Sequence, residues 1–80
     1  MTPTIHREGP FRFFSYSHES REPPHVHIER DDAIAKLWLH DGSIADSGGL
    51  APRDLQRVVA IVLIHRDRFL ESWHEHCDEP

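Results

Sequence analysis

The chain has 80 residues, with nine Lys and Arg against 14 Asp and Glu, so its formal net charge is -5. This acidic balance disfavours RNA or DNA as a partner, because binding to phosphates needs clustered basic side chains. A single cysteine, Cys77, excludes a disulfide within the chain. Residues 1–7 contain no apolar signal core, and the longest apolar run, residues 58–64, is too short to cross a bilayer. We therefore expect one cytoplasmic domain, residues 1–80, without a membrane partner.

The first half of the chain predicts strands. Three segments that combine aromatic or β-branched residues are bounded by Gly, Pro and Asp turn signals: residues 11–17, 25–30 and 33–39. Residues 44–46 lie between two further turn signals, and they form a short fourth strand in one of the two alternatives for the sheet. The sheet is accordingly expected to have three or four strands.

A single long helix is predicted for residues 52–76. Pro52 suits the first turn of a helix, and Asp54 lies near the positive end of the helix dipole. Apolar side chains recur on one helix face at a spacing of 3.6 residues, namely Leu55, Val58, Val59, Val62, Phe69, Leu70 and Trp73. Together these elements predict an α+β fold with two layers, in which a three- to four-stranded antiparallel sheet packs on one long C-terminal helix.

Ile61 and Ile64 are expected on the back of this helix, away from the core. Two isoleucines on that face suggest an oligomer contact such as a homodimer, and scattered surface apolarity is the alternative. A chain of this length buries only a small core, which also favours assembly with a partner.

The most informative motif is Pro23-Pro24-His25-Val26-His27. On a strand, side chains at i and i+2 point to the same face, so the two imidazoles lie side by side. If Asp31-Asp32 forms the turn of a hairpin, its two faces differ in chemistry. The apolar face, which the helix should cover, contains Val26, Ile28, Ala35 and Leu37. The opposite, open face contains His25, His27, Glu29, Lys36 and Trp38, with His25 directly opposite Trp38.

Two imidazoles on an open face have three interpretations. They are ordinary exposed strand residues, or they bind a metal, or they move protons. The metal interpretation needs at least three ligands for a divalent ion such as zinc. His25 and His27 supply two, Glu29 is a candidate for the third, and His18 or His40 can reach in from a loop.

The proton-transfer interpretation predicts a ribonuclease-like enzyme that needs no metal. His25 and His27 then serve as general base and acid, and Lys36 or Arg66 stabilises the negative charge of the transition state. The negative net charge and the lack of a basic groove in the sequence stand against an RNA substrate.

Two further groups of histidines are weaker candidates. His65, on the flank of the helix, adds a third imidazole if it reaches His25 and His27, although the register places helix and motif on opposite faces of the sheet. Packing against the sheet edge is the alternative for His65. The segment His74-Glu75-His76-Cys77 contains metal-ligand types, but successive helix residues turn by about 100°, so its side chains diverge.

The chain resembles the family of small bacterial proteins catalogued as domain of unknown function 4160. The resemblance covers nearly the whole chain and rests mainly on the Pro-Pro-His-x-His motif. Residues of the following strand and of the helix contribute to it, namely Ala35, Trp38, His65, Arg66, Leu70 and Trp73. The resemblance implies no settled activity. It implies a gene neighbour that encodes a small antitoxin-like or DNA-binding protein, and hence a two-protein module of the toxin–antitoxin type.

Two functional hypotheses result. In the first, the chain is a toxin-like or regulatory component of such a module and acts through a protein partner, which binds Trp38, Ile61 and Ile64. In the second, it is a histidine-dependent ribonuclease-like enzyme or a metal-binding protein that uses the His-x-His strand. The surface around His25 distinguishes them, since a basic cleft favours the enzyme and a neutral or apolar patch favours the partner.

Overall fold

The structure, a computed structural model, describes residues 4–16 and 21–77. Seven elements follow in chain order: β1 (Thr4–Glu8), β2 (Phe11–Phe14), β3 (His25–Arg30), β4 (Ala33–Trp38), β5 (Ile44–Asp46), α1 (Pro52–Ile64) and α2 (Arg66–Cys77). The predicted α+β fold is confirmed, but the sheet has five strands rather than three or four, and two helices replace the single long one. Neither helix in this part of the chain has the length and apolar character needed to span a membrane.

The five strands form one antiparallel sheet in which each strand lies beside its neighbour in sequence, from β1 to β5. β1 is the strand that the sequence did not predict, because Ile5 is its only apolar residue. It pairs with β2 across a turn at Gly9, which has φ 57. The aromatic side chains of β2 supply the packing that β1 lacks. β2 itself is shorter than predicted and ends at Phe14.

β3 and β4 pair in the predicted register, from His25 opposite Trp38 to Arg30 opposite Ala33. The turn between them contains Asp31, whose φ of 54 lies in the left-handed region that aspartate tolerates. Most of the predicted apolar set is completely buried in a core that α1 completes, namely Val26, Ile28, Ala35, Leu37, Val58, Val62 and Phe69. Three of its members are only half-buried, Leu55, Val59 and Leu70.

The helix predicted for residues 52–76 is interrupted at His65. This residue has φ -104 and ψ 17, and its N–H donates to the carbonyl of Ile61 at 3.0 Å. Directly after the break, Arg66 Nε donates to the carbonyl of Leu39 at 3.0 Å. The start of α2 is therefore fixed against the end of β4. The apolar spacing along the sequence does not reveal this break, because the contact that holds it comes from a distant part of the chain.

The side chains that α1 buries differ in part from the predicted helix face. Ile61 is buried beside Val62, so the prediction that Ile61 lies on the back of the helix is wrong. The predicted face was drawn as one stripe through the residues of both helices, whereas α1 buries Val58, Ile61 and Val62. Ile64 is exposed, as predicted. α2 turns Phe69 towards β2, where its ring centroid lies 5.6 Å from that of Phe13.

The loop between β5 and α1 passes close to the sheet at Gly48. This glycine has φ 58, and a Cβ at its position would lie 1.7 Å from the carbonyl oxygen of Ile34. Because no side chain fits there and the left-handed conformation favours glycine, Gly48 fixes the path by which the chain leaves β5 and enters α1.

Replacement of Val62 by alanine tests the packing of α1 on the sheet. Val62 is completely buried, so Val62→Ala leaves a cavity and should lower the free energy of unfolding by roughly 1–3 kcal/mol. The control is Ile64→Ala, at an exposed position of the same helix, which should change that free energy by less than about 0.5 kcal/mol. Urea denaturation measures both values, and equal losses would contradict the packing described here.

Candidate functional site

The Pro23-Pro24 segment holds the start of β3 through its main-chain carbonyls. His25 Nδ1 lies 2.9 Å from the Pro23 carbonyl oxygen, and because a carbonyl only accepts, this nitrogen carries the proton. The Pro24 carbonyl accepts a hydrogen bond from the N–H of Leu39 at 3.0 Å. Proline has no N–H to donate, so the two prolines join β3 to the end of β4 as acceptors.

Both histidines of the motif are buried, with 0% of His25 and 8% of His27 exposed. His27 stacks on Phe14, with ring centroids 5.4 Å apart, and meets the edge of Tyr16 at 4.8 Å. The His25 ring lies 5.1 Å from that of His27 and 4.7 Å from that of Trp73 in α2. We call these five side chains the aromatic–histidine cluster.

The face that carries the two histidines is therefore not the open polar surface that the sequence predicted. The alternation along β3 is as predicted, with His25 and Val26 on opposite faces of the strand. Trp73 of α2 nevertheless reaches His25, so the expectation that the motif is separated from the helical segment is wrong for this residue. In this conformation the ring of His25 has no exposed surface on which it could meet the phosphate of an RNA strand.

The charged residues expected beside the motif pair with other side chains. Glu29 Oε1 accepts a hydrogen bond from Arg12 at 3.1 Å. Lys36 donates to Glu22 and lies 4.9 Å from the centre of the half-buried Trp38 ring. Within the residues that the structure describes, Glu29 does not join the two histidines in a set of closely spaced ligand atoms.

The remaining predicted residues do not converge on the motif. Arg66 binds the main-chain carbonyl at the end of β4, as described above. His40 is exposed and lies 3.4 Å from the carboxylate of Asp41, and hydrogen bonds from the side chain and backbone of Ser43 lower the pKa of Asp41. His74 is exposed. Three predicted positions lie outside the described residues or side chains, namely His18, His76 and Cys77.

A second group of ligand-type side chains lies between β1 and the helix break. His6 Nε2 is 2.9 Å from Glu8 Oε1, and His65 Nε2 is 3.8 Å from the same oxygen. The two imidazole centroids are 4.6 Å apart. We call His6, Glu8 and His65 the junction cluster. His65 is thus a second imidazole beside His6, and the structure does not place it with the histidines of the motif.

Sequence reasoning missed His6 and Glu8, although one signal was present. They have the i, i+2 spacing that drew attention to His25 and His27, but residues 4–8 were not predicted to be a strand. Pairing with β2 places His6 opposite Phe13, and the two rings lie 5.4 Å apart. Their contact holds the His6 imidazole close to α2.

Arg68 of α2 also faces the junction cluster. Its guanidinium lies 2.7 Å from His6 Nδ1 and donates to the Ile5 carbonyl at 3.2 Å. Because guanidinium only donates, His6 Nδ1 accepts, and the proton of the neutral ring lies on Nε2, which donates to Glu8. The cluster thus combines two imidazoles with a carboxylate, and the guanidinium of Arg68 contacts the imidazole of His6.

An open apolar groove of about 430 Å³ lies between α1 and β5, and we call it the α1–β5 groove. It is lined by Ile44, Pro52, Leu55, Gln56 and Val59. Leu63 continues the apolar stripe one helical turn beyond Val59 and is exposed over about half of its surface. A Cβ at Gly42 would lie 3.0 Å from the Leu63 side chain, so the stripe ends beside the turn that precedes β5.

Residues 10–74 match the family described as Domain of unknown function (DUF4160). Since these residues make up most of the chain, the protein belongs to this family. The matched region extends from β2 into α2 and includes the motif and the α1–β5 groove, whereas His6 and Glu8 precede it. Comparisons with curated proteins and with solved structures give no match.

Replacement of His25 by alanine tests whether the motif stabilises the fold. His25 is completely buried and its Nδ1–H bonds the Pro23 carbonyl, so His25→Ala should lower the free energy of unfolding by roughly 2–4 kcal/mol. If His25 were instead an exposed strand residue, the same substitution would lower the free energy of unfolding by less than about 0.5 kcal/mol. His40→Ala, at an exposed position, is the control and should melt like the wild type. If both variants melt at the wild-type temperature, His25 does not stabilise the fold.

Proposed function

We propose that this protein is the partner-binding component of a two-protein module of the toxin–antitoxin type, and that the α1–β5 groove receives the partner. The observation that carries the proposal is the groove, an apolar surface left open on a small domain. The two-protein arrangement is also what the family resemblance implies. The occupant we infer is an extended apolar segment of the partner protein.

The side chains of the groove support an apolar occupant. Ile44 has 45% and Leu63 has 49% of its surface exposed, and Leu55 and Val59 between them are half-buried. Contiguous exposed apolar surface is typical of protein interaction sites. Each Å² of apolar surface that a partner removes from water contributes about 25 cal/mol to the complex. Among residues 4–16 and 21–77, no charged side chain lines the groove, so an apolar segment binds there without leaving one of these charges buried and unpaired.

The strand beside the groove supports an extended occupant. β5 lies at the edge of the sheet, and its outer side pairs with no strand of residues 4–16 and 21–77. Such an edge presents backbone N–H and C=O groups to a strand from another chain. A partner strand that pairs with β5 directs alternate side chains into the groove, the binding mode known as strand addition.

The surroundings of His25 support a partner more than a ribonuclease. The side chains around it are aromatic, including Trp38 and Trp73, and Lys36 on the same face of the hairpin is paired with Glu22. A ribonuclease that binds an RNA strand needs a basic cleft, and this environment does not provide one.

The binding surface differs from the one expected from the sequence. Ile61 is buried and Trp38 is half-buried, so neither offers a large free surface. Ile64 remains exposed at the end of α1. We therefore place the partner at the groove and at Leu63, instead of at Trp38, Ile61 and Ile64.

Ile44→Glu is the variant that tests the groove. The carboxylate loses its hydration when a partner covers it, so the partner should bind roughly 30-fold more weakly, a loss of about 2 kcal/mol. The control is Ile34→Glu, since Ile34 is 41% exposed against 45% for Ile44 and also lies in a strand, but it does not line the groove. Co-purification of each variant with the protein encoded by the neighbouring gene measures the effect.

The same experiment separates the alternatives. If Ile44→Glu and Ile34→Glu retain the partner equally, the groove is not the binding surface. If the chain alone sediments as a dimer that only Ile44→Glu dissociates, the occupant is a second copy of this chain. Growth arrest on expression of the chain alone, relieved by the neighbouring protein, is the expected result for the toxin-like half of the module.

A further inference from the structure

We propose that the junction cluster, His6, Glu8 and His65, binds a divalent transition-metal ion, with zinc as the best match. The ligand atoms of these three side chains all lie within 4.8 Å of one another, and no other such set of three occurs among the described residues. Two imidazoles and one carboxylate form a recurrent ligand set for zinc and for other first-row metals. This site is distinct from the metal site that the sequence suggested at His25, His27 and Glu29.

The distances within the cluster suit a single ion. Ligand atoms at about 2.0–2.1 Å from a tetrahedral zinc are about 3.3–3.4 Å from one another. The two separations from Glu8 Oε1, 2.9 Å to His6 Nε2 and 3.8 Å to His65 Nε2, lie on either side of this value. Movements of about an ångström, small for partly exposed side chains, therefore bring all three atoms to bonding distance.

The exposure of the cluster leaves it accessible to an ion and to water. The exposed fraction of the side chain is 17% for His6, 33% for His65 and 47% for Glu8. Three protein ligands leave the fourth tetrahedral position to a water molecule, as in open zinc sites. The aromatic packing of His6 on Phe13 and of His65 on Phe69 restrains the two rings from the core side.

Arg68 competes with the ion for His6. A metal that binds Nε2 shifts the proton of the neutral ring to Nδ1, and this nitrogen now accepts a hydrogen bond from Arg68. Arg68 must therefore withdraw when the ion binds. Its side chain is exposed, so it can turn to solvent, and its removal should strengthen metal binding.

The cluster exists only in the folded chain, because His6 and Glu8 come from β1 and His65 from the helix break. An ion that binds the folded form and not the unfolded form raises the melting temperature by mass action.

The test is a titration of the chelator-treated full chain with zinc alone, followed by calorimetry and by thermal melting. The expected result is one ion per chain and a higher melting temperature. His65→Ala and Glu8→Gln should each weaken binding by more than about tenfold, the range that loss of even an outer contact produces. Glu8→Gln keeps the shape of an exposed side chain, so it reports on ligation even if His65→Ala folds poorly. His40→Ala is the matched control and should bind like the wild type.

The C-terminal segment is the rival site for an ion, and a second variant distinguishes it. His74→Ala combined with Cys77→Ser should leave the zinc affinity unchanged if the junction cluster binds. With cobalt in place of zinc, the absence of a thiolate-to-cobalt charge-transfer band is expected, because the cluster contains no sulfur. A cobalt–thiolate band, or loss of binding in the C-terminal variant, would overturn the proposal, as would a wild-type chain that binds no zinc.

Arg68→Ala gives an independent result. At the junction cluster this change removes a competing donor and should tighten zinc binding. A site elsewhere on the chain is indifferent to Arg68, so an unchanged affinity would count against the assignment.

Discussion

The fold depends on one constraint, which is that β3 is buried on both of its faces. Val26 and Ile28 pack into the core beneath α1, and His25 and His27 pack among aromatic rings on the other face. A strand covered in this way needs side chains from two directions, and the described part of the chain has two helices, α1 and α2, that pack near it. Both helices contribute to the core on the first face, and Trp73 of α2 also reaches the ring of His25.

The hairpin of β3 and β4 could be predicted from the sequence because its determinants are local. Alternation of apolar and polar residues and a turn of two aspartates specify the same register, and the structure confirms each pair. The break between α1 and α2 could not be predicted in this way. Directly after it, Arg66 donates to the carbonyl of Leu39, 27 positions away, and a periodic pattern along α1 carries no information on such a contact.

Local spacing was also insufficient to identify the candidate sites. His25-x-His27 and His6-x-Glu8 have the same i, i+2 spacing, yet the first pair is buried and the second is partly exposed. The difference arises from what packs on each strand. β3 is central and both faces are covered, whereas β1 is an edge strand that pairs with β2 on one side. Spacing along a strand places two side chains on one face, but their accessibility depends on contacts between distant segments of the chain.

The two proposed sites lie at opposite edges of the sheet and are connected by one helix. Pro52 at the start of α1 lines the α1–β5 groove, and His65 directly follows its last residue in the junction cluster. No residue belongs to both, so a substitution in one site leaves the groups of the other unchanged. If both proposals hold, an ion at the cluster restrains the end of the helix whose side contacts the partner. If this restraint alters partner affinity by any factor, linkage requires the partner to alter ion affinity by the same factor, so α1 is the element through which the two edges of the sheet can be coupled.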